Sequence, residues 1–141
     1  MTPESTMTTE GEQFASALAE QDPAALRAVL ADRIDFAALT PGRHWTSTDP
    51  AEVVGEIVLG RWFGPGRRIT ELCSVTTGRI AGCRHVGYLL RVERDGVDHL
   101  VGQQAYYTAR DGAIDWLRIL CSGYQAVSAS EPAAVATGFS R

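Results

Sequence analysis

The chain has 141 residues, of which 45% are hydrophobic, and its 13 basic and 17 acidic residues give a net charge of −4. This length suits one domain of roughly 100–200 residues, and scattered arginines without a concentrated basic patch exclude nucleic acid as the main partner. No stretch approaches the roughly 20 apolar residues of a membrane helix, and the N-terminus lacks the pattern of a secretion signal. We therefore expect a cytoplasmic protein with neither membrane nor nucleic-acid partners.

The two ends are rich in Ser, Thr, Ala and Pro and show no apolar periodicity. This composition predicts disordered termini over residues 1–9 and 127–141, and one folded domain over residues 10–126. The three cysteines, Cys73, Cys83 and Cys121, are odd in number and form no C-x-x-C pair. We therefore expect free thiols rather than a disulfide framework or a structural zinc site.

The first half of the chain carries helix-start signals. Thr9-x-x-Glu12 is a capping-box pattern, and Asp22-Pro23 and Asp49-Pro50 each place an N-cap before a proline. They predict two short helices and a longer third one, with an extended segment over residues 34–39 between the second and the third. The apolar stripe of the third helix consists of Val53, Val54, Ile57, Val58 and Trp62.

From residue 69 onward the pattern changes to strand-like runs over residues 69–78, 83–94, 97–110 and 113–124. Asp95-Gly96 and Asp111-Gly112 are strong hairpin signals, because glycine readily adopts the positive φ that tight primed turns require. Three helices followed by an antiparallel meander predict an α+β protein.

Two-residue turns would pair Arg94 with Val97 and Arg110 with Ala113, and counting outward assigns every strand residue to one of two faces. The first face contains Val86, Tyr88, Leu90, His99, Val101, Gln103, Ala105, Tyr107, Trp116, Arg118 and Leu120. The second face contains His85, Gly87, Leu89, Arg91, Leu100, Gly102, Gln104, Tyr106, Leu117, Ile119 and Cys121. Because both faces are largely apolar, we expect helices to cover one and a second copy to cover the other. The aromatic content of Tyr107, Trp116 and Arg118 predicts a homodimer surface there.

The order of elements and several local motifs resemble the nuclear-transport-factor-2-like superfamily, which includes ketosteroid isomerases, SnoaL-type polyketide cyclases and limonene epoxide hydrolases. The motifs are the segment 19–26, Pro41-Gly42-Arg43-His44-Trp45, the Asp49-Pro50 cap, Asp111-Gly112-Ala113-Ile114 and Cys121-Ser122-Gly123-Tyr124. The resemblance implies a cone-shaped, curved antiparallel sheet wrapped around three N-terminal helices, with an internal pocket. Because family pocket residues match Leu117, Cys121 and Gln104, it also implies that the second face lines that pocket.

The resemblance does not carry over the chemistry of either enzyme. The tyrosine, aspartate base and carboxylic acid of the isomerases match Phe14, Thr40 (or Ala38) and Gln104 here, so none of the three is retained. An epoxide hydrolase would need two aspartates and an arginine in the pocket. Arg91, Asp98 and Asp115 share the second face, but both aspartates fall near hairpin ends.

Candidate chemistry on the second face centres on His85, which would lie opposite Tyr106. An imidazole can exchange a proton near neutral pH and a phenol can stabilise an oxyanion; a plain cross-strand contact is the alternative. His44, in the loop after Pro41-Gly42, is a second candidate base or an exposed loop residue. Gln104 is a candidate to orient a carbonyl, or simply to bond a helix end, and Arg91 to bind an anion or remain solvated. His85 and His99 fall on opposite faces, so no metal is expected. No glycine-rich phosphate loop follows a strand, so no cofactor is expected either.

These observations predict a hydrophobic small-molecule ligand in an apolar pocket. The first hypothesis is a cofactor-free isomerase or cyclase that works by proton transfer, with His85, Tyr106 and His44 as catalytic residues. The alternatives are a non-catalytic ligand-binding or interaction module and, less favoured, an epoxide hydrolase. The predicted ligand-binding residues are Phe14, Trp45, Trp62, Leu89, Arg91, Gln104, Leu117, Ile119 and Cys121.

Overall fold

The computed structural model describes residues 8–127, so most of the predicted disordered termini lie outside the described residues. The helices are α1 (Glu10–Ala19), α2 (Pro23–Val29) and α3 (Pro50–Glu52), and α3 continues directly as a π-helix over Val53–Trp62. The strands are β1 (Leu30–Thr40), β2 (Arg43–Ser47), β3 (Arg67–Ile80), β4 (Cys83–Arg94), β5 (Val97–Arg110), β6 (Ala113–Cys121) and β7 (Gln125–Ala126).

The three helix-start signals are confirmed. The Thr9 hydroxyl accepts from the backbone N–H of Glu12, whose carboxylate accepts from the backbone N–H of Thr9, so the capping box is complete. The Asp22 and Asp49 carboxylates accept from backbone N–H groups of α2 and α3, and the prolines that follow them occupy the first turns. These contacts satisfy donors that would otherwise lack intrahelical partners.

The third helix differs from the expected α-helix, because Val53–Trp62 is a π-helix. Such helices join residue i to residue i+5, and glycine permits the close approach here: a Cβ added at Gly60 would lie 2.8 Å from the carbonyl oxygen of Gly55. The β-branched residues of this segment also weaken its α-helical preference. The predicted stripe is nevertheless buried throughout.

The strands form one curved, unclosed sheet in the order β2-β1-β6-β5-β4-β3, and β7 pairs with β5. The sequence analysis missed β2, which pairs with β1 across the two-residue turn Pro41-Gly42; Gly42 adopts a φ of 76°. The expected meander is antiparallel from β3 to β6, but β1 runs parallel to β6. The predicted α+β class is therefore confirmed.

The helices cover one face of the sheet, which we call the inner face. The contact between α1 and the sheet is close: the backbone N–H of Gly11 donates to the Tyr107 hydroxyl at 2.9 Å, and a Cβ at Gly11 would lie 2.8 Å from Val86. The inner-face side chains of the last three long strands are largely buried: Val86, Tyr88, Leu90, Val92, Val101, Gln103, Ala105, Tyr107, Ile114, Leu117 and Ile119.

A β-bulge in β6 corrects the predicted faces. Both predicted turns are confirmed, since Arg94 pairs with Val97 and Arg110 with Ala113. However, Thr108 pairs with Trp116 while Ala109 pairs with Ile114, so Asp115 is an extra residue. A one-residue slip exchanges the faces of all residues that follow. The correction moves three residues to the inner face and three to the outer face: Leu117, Ile119 and Cys121 inward, and Trp116, Arg118 and Leu120 outward.

The family resemblance implied that the second face lines the pocket. In the structure the helices cover the first face instead, so that prediction is wrong. His85, Leu89, Arg91, Gln104 and Tyr106 project from the outer face, because their strand neighbours fill the core. The proposed dimer surface is likewise corrected, since Tyr107 is buried at 1% exposure, away from Trp116 and Arg118.

The long strand β3 forms one edge of the sheet. Its pairing with β4 shifts twice, so that Thr70 and Cys73 are extra residues. Cys73 is exposed and all three cysteines are free. None of the helices within residues 8–127 is both long enough and apolar enough to cross a membrane.

Candidate functional site

A cavity of about 410 Å³ lies where the π-helix, the β1–β2 turn and the ends of β4 and β6 meet. We call it the mouth cavity. Deeper in the cone the space is filled by core side chains such as Phe14 and Tyr88, whose ring centroids are 6.4 Å apart. The lining residues are Thr40, Pro41, Trp45, Arg61, Trp62, Phe63, Arg67, Arg94, Val101, Cys121, Ser122, Gly123 and Tyr124.

Four aromatic rings, from β2, the end of the π-helix and the loop after β6, form much of the cavity wall. Trp45 meets Trp62 edge-on at 6.1 Å between centroids, and Phe63 lies 6.1 Å from Tyr124. The Trp45 indole N–H donates to the Thr40 hydroxyl at 2.8 Å, and the Tyr124 hydroxyl donates to the backbone carbonyl of Trp62. These bonds hold the rings in place, so the cavity presents preformed flat apolar surfaces.

Two buried N–H donors near this wall have no hydrogen-bond partner among the described residues: Nε1 of Trp62 and Nε2 of Gln103. Gln103 pairs with the cavity residue Cys121 across β5 and β6, and its Oε1 accepts from the Tyr88 hydroxyl at 2.6 Å. An unpaired buried donor costs roughly 1–3 kcal/mol. Native proteins therefore rarely leave one without a reason.

The two tyrosines of this region are neutral donors near neutral pH. Burial raises the pKa of Tyr88 well above its ordinary value, and Cys121 adds to the effect. Burial also raises the pKa of Tyr124 to about 12, although the Arg67 and Arg94 guanidinium groups oppose the shift. Neither phenol can therefore serve as a base at neutral pH.

The structure brings three of the predicted ligand-binding residues to the mouth cavity: Trp45, Trp62 and Cys121. Three others are core residues at 1% exposure: Phe14, Leu117 and Ile119. The remaining three, Leu89, Arg91 and Gln104, lie on the outer face.

The predicted catalytic residues lie away from the mouth cavity. His85 pairs opposite Tyr106 as predicted, with ring centroids 5.0 Å apart, and its Nε2 is 2.5 Å from Oε1 of Gln104. Gln104 packs over Gly87, where a Cβ would collide with its amide. This cluster is on the outer face, and His44 is exposed on β2. The catalytic role of these residues stays a prediction, separated in space from the cavity.

The charged groups that an epoxide hydrolase would require are also elsewhere. Arg91 contacts Asp98 at 3.3 Å and Glu71 at 3.8 Å on the outer side of the sheet. The Asp115 carboxylate accepts from the Thr108 hydroxyl at 2.7 Å. Neither aspartate lines the mouth cavity.

Sequence reasoning missed Gln103 and Tyr124 as site residues, whereas Phe63, beside Trp62 at the end of the third helix, was a candidate to stack on a planar ligand or to cap the core. The sequence did contain a signal for Gln103. Its face of β4 and β5 carries fewer charged side chains than the face of Arg91 and Glu93, and the less charged face is the one expected to pack against the helices. No sequence signal brings Phe63 and Tyr124 together, since they are distant in the chain.

A larger depression of about 1050 Å³ lies outside the cone, between the end of the π-helix and the β4–β5 turn. Its lining includes Arg68 and Glu93, which neutralise each other in an ion pair at 2.8 Å. The mouth cavity, by contrast, combines an aromatic wall with Cys121, which pairs with Gln103 of the polar core pair.

Comparison with solved structures finds this architecture in several bacterial proteins. A Bacillus subtilis protein provisionally named an isomerase matches with a TM-score of 0.67 and 13% identity, over 80% of this chain and 84% of that one. An epoxide hydrolase from M. tuberculosis, described as LEH-like, matches at 0.58 and 15% identity, over 80% of each chain. A nuclear-transport-factor-2-like protein of unknown function from Cytophaga hutchinsonii matches at 0.50 and 14% identity, over 83% and 93%.

No family model and no curated protein matches the sequence. The structural matches define the fold class: an α+β protein with the nuclear-transport-factor-2-like fold, the type also found in isomerases and cyclases. At these identities the likeness establishes the fold alone, so activity has to be argued from the site.

Proposed function

We propose that this protein binds an apolar, planar small molecule in the mouth cavity, through aromatic contacts and a hydrogen-bond acceptor on the ligand. The observation that carries the proposal is Nε1 of Trp62, a buried donor on the cavity wall that has no hydrogen-bond partner within residues 8–127. A second such donor, Nε2 of Gln103, belongs to the residue that pairs with the cavity residue Cys121. Ligand sites typically have volumes of about 300–1,000 Å³ and combine apolar walls with a few placed polar groups. The cavity, at about 410 Å³, falls in that range.

The test uses N-phenyl-1-naphthylamine, a neutral probe that fluoresces when it enters an apolar site. We expect saturable binding, with energy transfer from Trp45 and Trp62. The variant Cys121→Phe places a bulky ring in the cavity and should abolish binding. Its matched control is Cys73→Phe, the same exchange at an exposed position on β3, which should bind as the wild type does.

Loss of binding in both variants, or in neither, would contradict the proposal. Far-UV circular dichroism of each variant separates a filled cavity from a failure to fold. If Cys121→Phe does not fold, competition decides the matter: a non-fluorescent planar ketone such as 2-tetralone should displace the probe from the wild type.

A second candidate is cofactor-free proton-transfer catalysis, the chemistry of the isomerase and cyclase hypothesis. The supporting observation is the Tyr88–Gln103 hydrogen bond, which orients the glutamine amide so that its N–H is free to donate to an oxyanion. No carboxylate or histidine of the described residues lines the mouth cavity, so a base would have to be water or the Cys121 thiolate. For this reason we place ligand binding first.

Hydrogen–deuterium exchange separates the two candidates. The protons beside the carbonyl of 2-tetralone exchange slowly in heavy water, and an enolising enzyme accelerates the exchange. Acceleration that Gln103→Leu removes would support catalysis. Binding of 2-tetralone without acceleration would exclude proton transfer on this ketone and leave binding as the function.

A further inference from the structure

Four arginines lie beside aromatic rings of the mouth-cavity wall, and three of them also line the cavity itself. The Cζ atoms of Arg94 and Arg67 lie 4.5 Å and 5.6 Å from the ring centroid of Tyr124. Those of Arg43 and Arg61 lie 3.7 Å and 5.6 Å from the ring of Trp45. They come from β4, β3, β2 and the π-helix, so only the fold brings them together.

These four arginines form no ion pair among the described residues. The twelve arginines of residues 8–127 divide into six with a carboxylate within 4.0 Å and six without. Three of the six without a partner line the mouth cavity, and a fourth, Arg43, stacks on its wall residue Trp45. The other two are Arg33 and Arg79. No acidic residue of the described part of the chain lines the cavity, although the whole chain carries a net charge of −4.

The four guanidinium groups differ in how free they are to bind. Arg67 donates to the backbone carbonyls of Arg61 and Trp62, so part of its fork is occupied. Arg94 is only partly exposed, and its guanidinium makes no hydrogen bond within residues 8–127. Stacking on Tyr124 leaves the edge of the Arg94 guanidinium open to an anion, because the donors lie in the plane of the group.

We infer that the ligand of the mouth cavity is an anion: a planar aromatic or polycyclic molecule with a carboxylate, sulfonate or phenolate group. This inference rests on the proposed function. The ring system packs against Trp45, Trp62 and Tyr124, and the charged oxygens meet the guanidinium groups of Arg94 and Arg61. The protein is acidic overall, so this local positive field also attracts anions to the cavity opening rather than to the rest of the surface.

The experiment compares two probes with the same ring skeleton. 1-Anilinonaphthalene-8-sulfonate carries a sulfonate that N-phenyl-1-naphthylamine lacks, so the ratio of their dissociation constants measures the contribution of the charge. We expect the anionic probe to bind more tightly, and added salt to weaken the anionic probe but not the neutral one. Arg94→Gln should reduce the ratio of the two dissociation constants, which is the preference for the anionic probe, roughly three- to tenfold. The double variant Arg94→Gln with Arg61→Gln should reduce this preference further.

The matched control is Arg79→Gln, which removes the same charge from an unpaired, exposed arginine at the far end of β3. It should leave the preference unchanged. Equal affinities for the two probes, or an equal effect of Arg79→Gln and Arg94→Gln, would overturn the anion preference and leave the cavity as a binding site. Anionic binding that persists in Cys121→Phe would mark it as surface binding and also overturn the inference. Failure of both probes to bind would instead refute the proposed function.

Discussion

At the residue scale, the polar pair inside the cone is the least typical feature of the core. Gln103 has 0% exposure, and within residues 8–127 its side chain bonds only to the Tyr88 hydroxyl. Apolar residues of similar size would pack there without any donor to satisfy. Tyr88 and Gln103 therefore stabilise the fold only if the hydrogen bond between them is formed.

A double-mutant cycle tests the coupling of these two side chains. Gln103→Leu alone leaves the Tyr88 hydroxyl buried without a partner, so we expect it to lower the free energy of unfolding by roughly 1–3 kcal/mol. Adding Tyr88→Phe should recover part of the loss, because removing both polar groups costs less than removing one. Urea unfolding of the four proteins measures the cycle. Strictly additive effects would contradict a coupled pair.

The raised pKa of Tyr124 predicts a stability loss at high pH. The unfolded phenol ionises near pH 10, but the folded one holds its proton until about pH 12 because burial disfavours the phenolate. Between these values the folded state binds more protons, so the free energy of unfolding falls as pH rises. Below pH 10 this group adds no pH dependence. Urea unfolding at several pH values should show a shallower decline in Tyr124→Phe; identical slopes would refute the assignment.

At the element scale, the bulge at Asp115 determines which side chains of β6 face the core. Its carboxylate bonds to Thr108, and its backbone position is the extra residue that turns Leu117 and Ile119 inward. Without the extra residue the turn at Asp111-Gly112 would send both side chains to the outer face.

Two changes at Asp115 distinguish the contribution of its side chain from that of the extra backbone residue. Asp115→Ala removes one hydrogen bond and should cost about 0.5–1.5 kcal/mol. Deletion of Asp115 shifts the register and should remove the cooperative unfolding transition, because apolar side chains of β6 leave the core. Tryptophan emission during urea unfolding measures both. A deletion variant as stable as Asp115→Ala would show that the bulge does not fix the register.

The same bulge explains how far the sequence could predict this fold and site. The caps at Thr9, Asp22 and Asp49 and the two Asp-Gly turns are local patterns, and they were read correctly together with the fold class. No glycine within β6 indicates a bulge, so the predicted faces of β6 were wrong. The mouth cavity was found only in part, since Arg94 and Tyr124 approach each other through sheet curvature rather than through any spacing along the chain.

At the scale of the whole molecule, no helix within residues 8–127 covers the outer face of the sheet. Leu120 and Leu39 are about half exposed, at 49% and 51%. They are joined there by Trp116, over which Arg118 stacks at 4.4 Å. Aromatic residues and arginine are typical of protein–protein interfaces. The predicted homodimer therefore belongs to this corrected surface, without Tyr107.

A charge placed on this surface tests the dimer. We expect the wild type to scatter light with the mass of two chains, and Leu120→Asp to scatter with the mass of one, because a buried carboxylate opposes association. Ile80→Asp is the matched control, since Ile80 is similarly exposed, at 56%, but lies at the distant tip of β3. A monomeric wild type, or a dimeric Leu120→Asp, would contradict this interface.

The two shifts of pairing in β3 affect how this chain meets copies of itself in a concentrated solution. An open edge of a sheet can template the addition of foreign strands and seed fibrils, and natural proteins guard such edges with irregularities. The extra residues Thr70 and Cys73 interrupt the regular repeat of outward amide groups on this fourteen-residue margin. These irregularities therefore oppose aggregation through that edge.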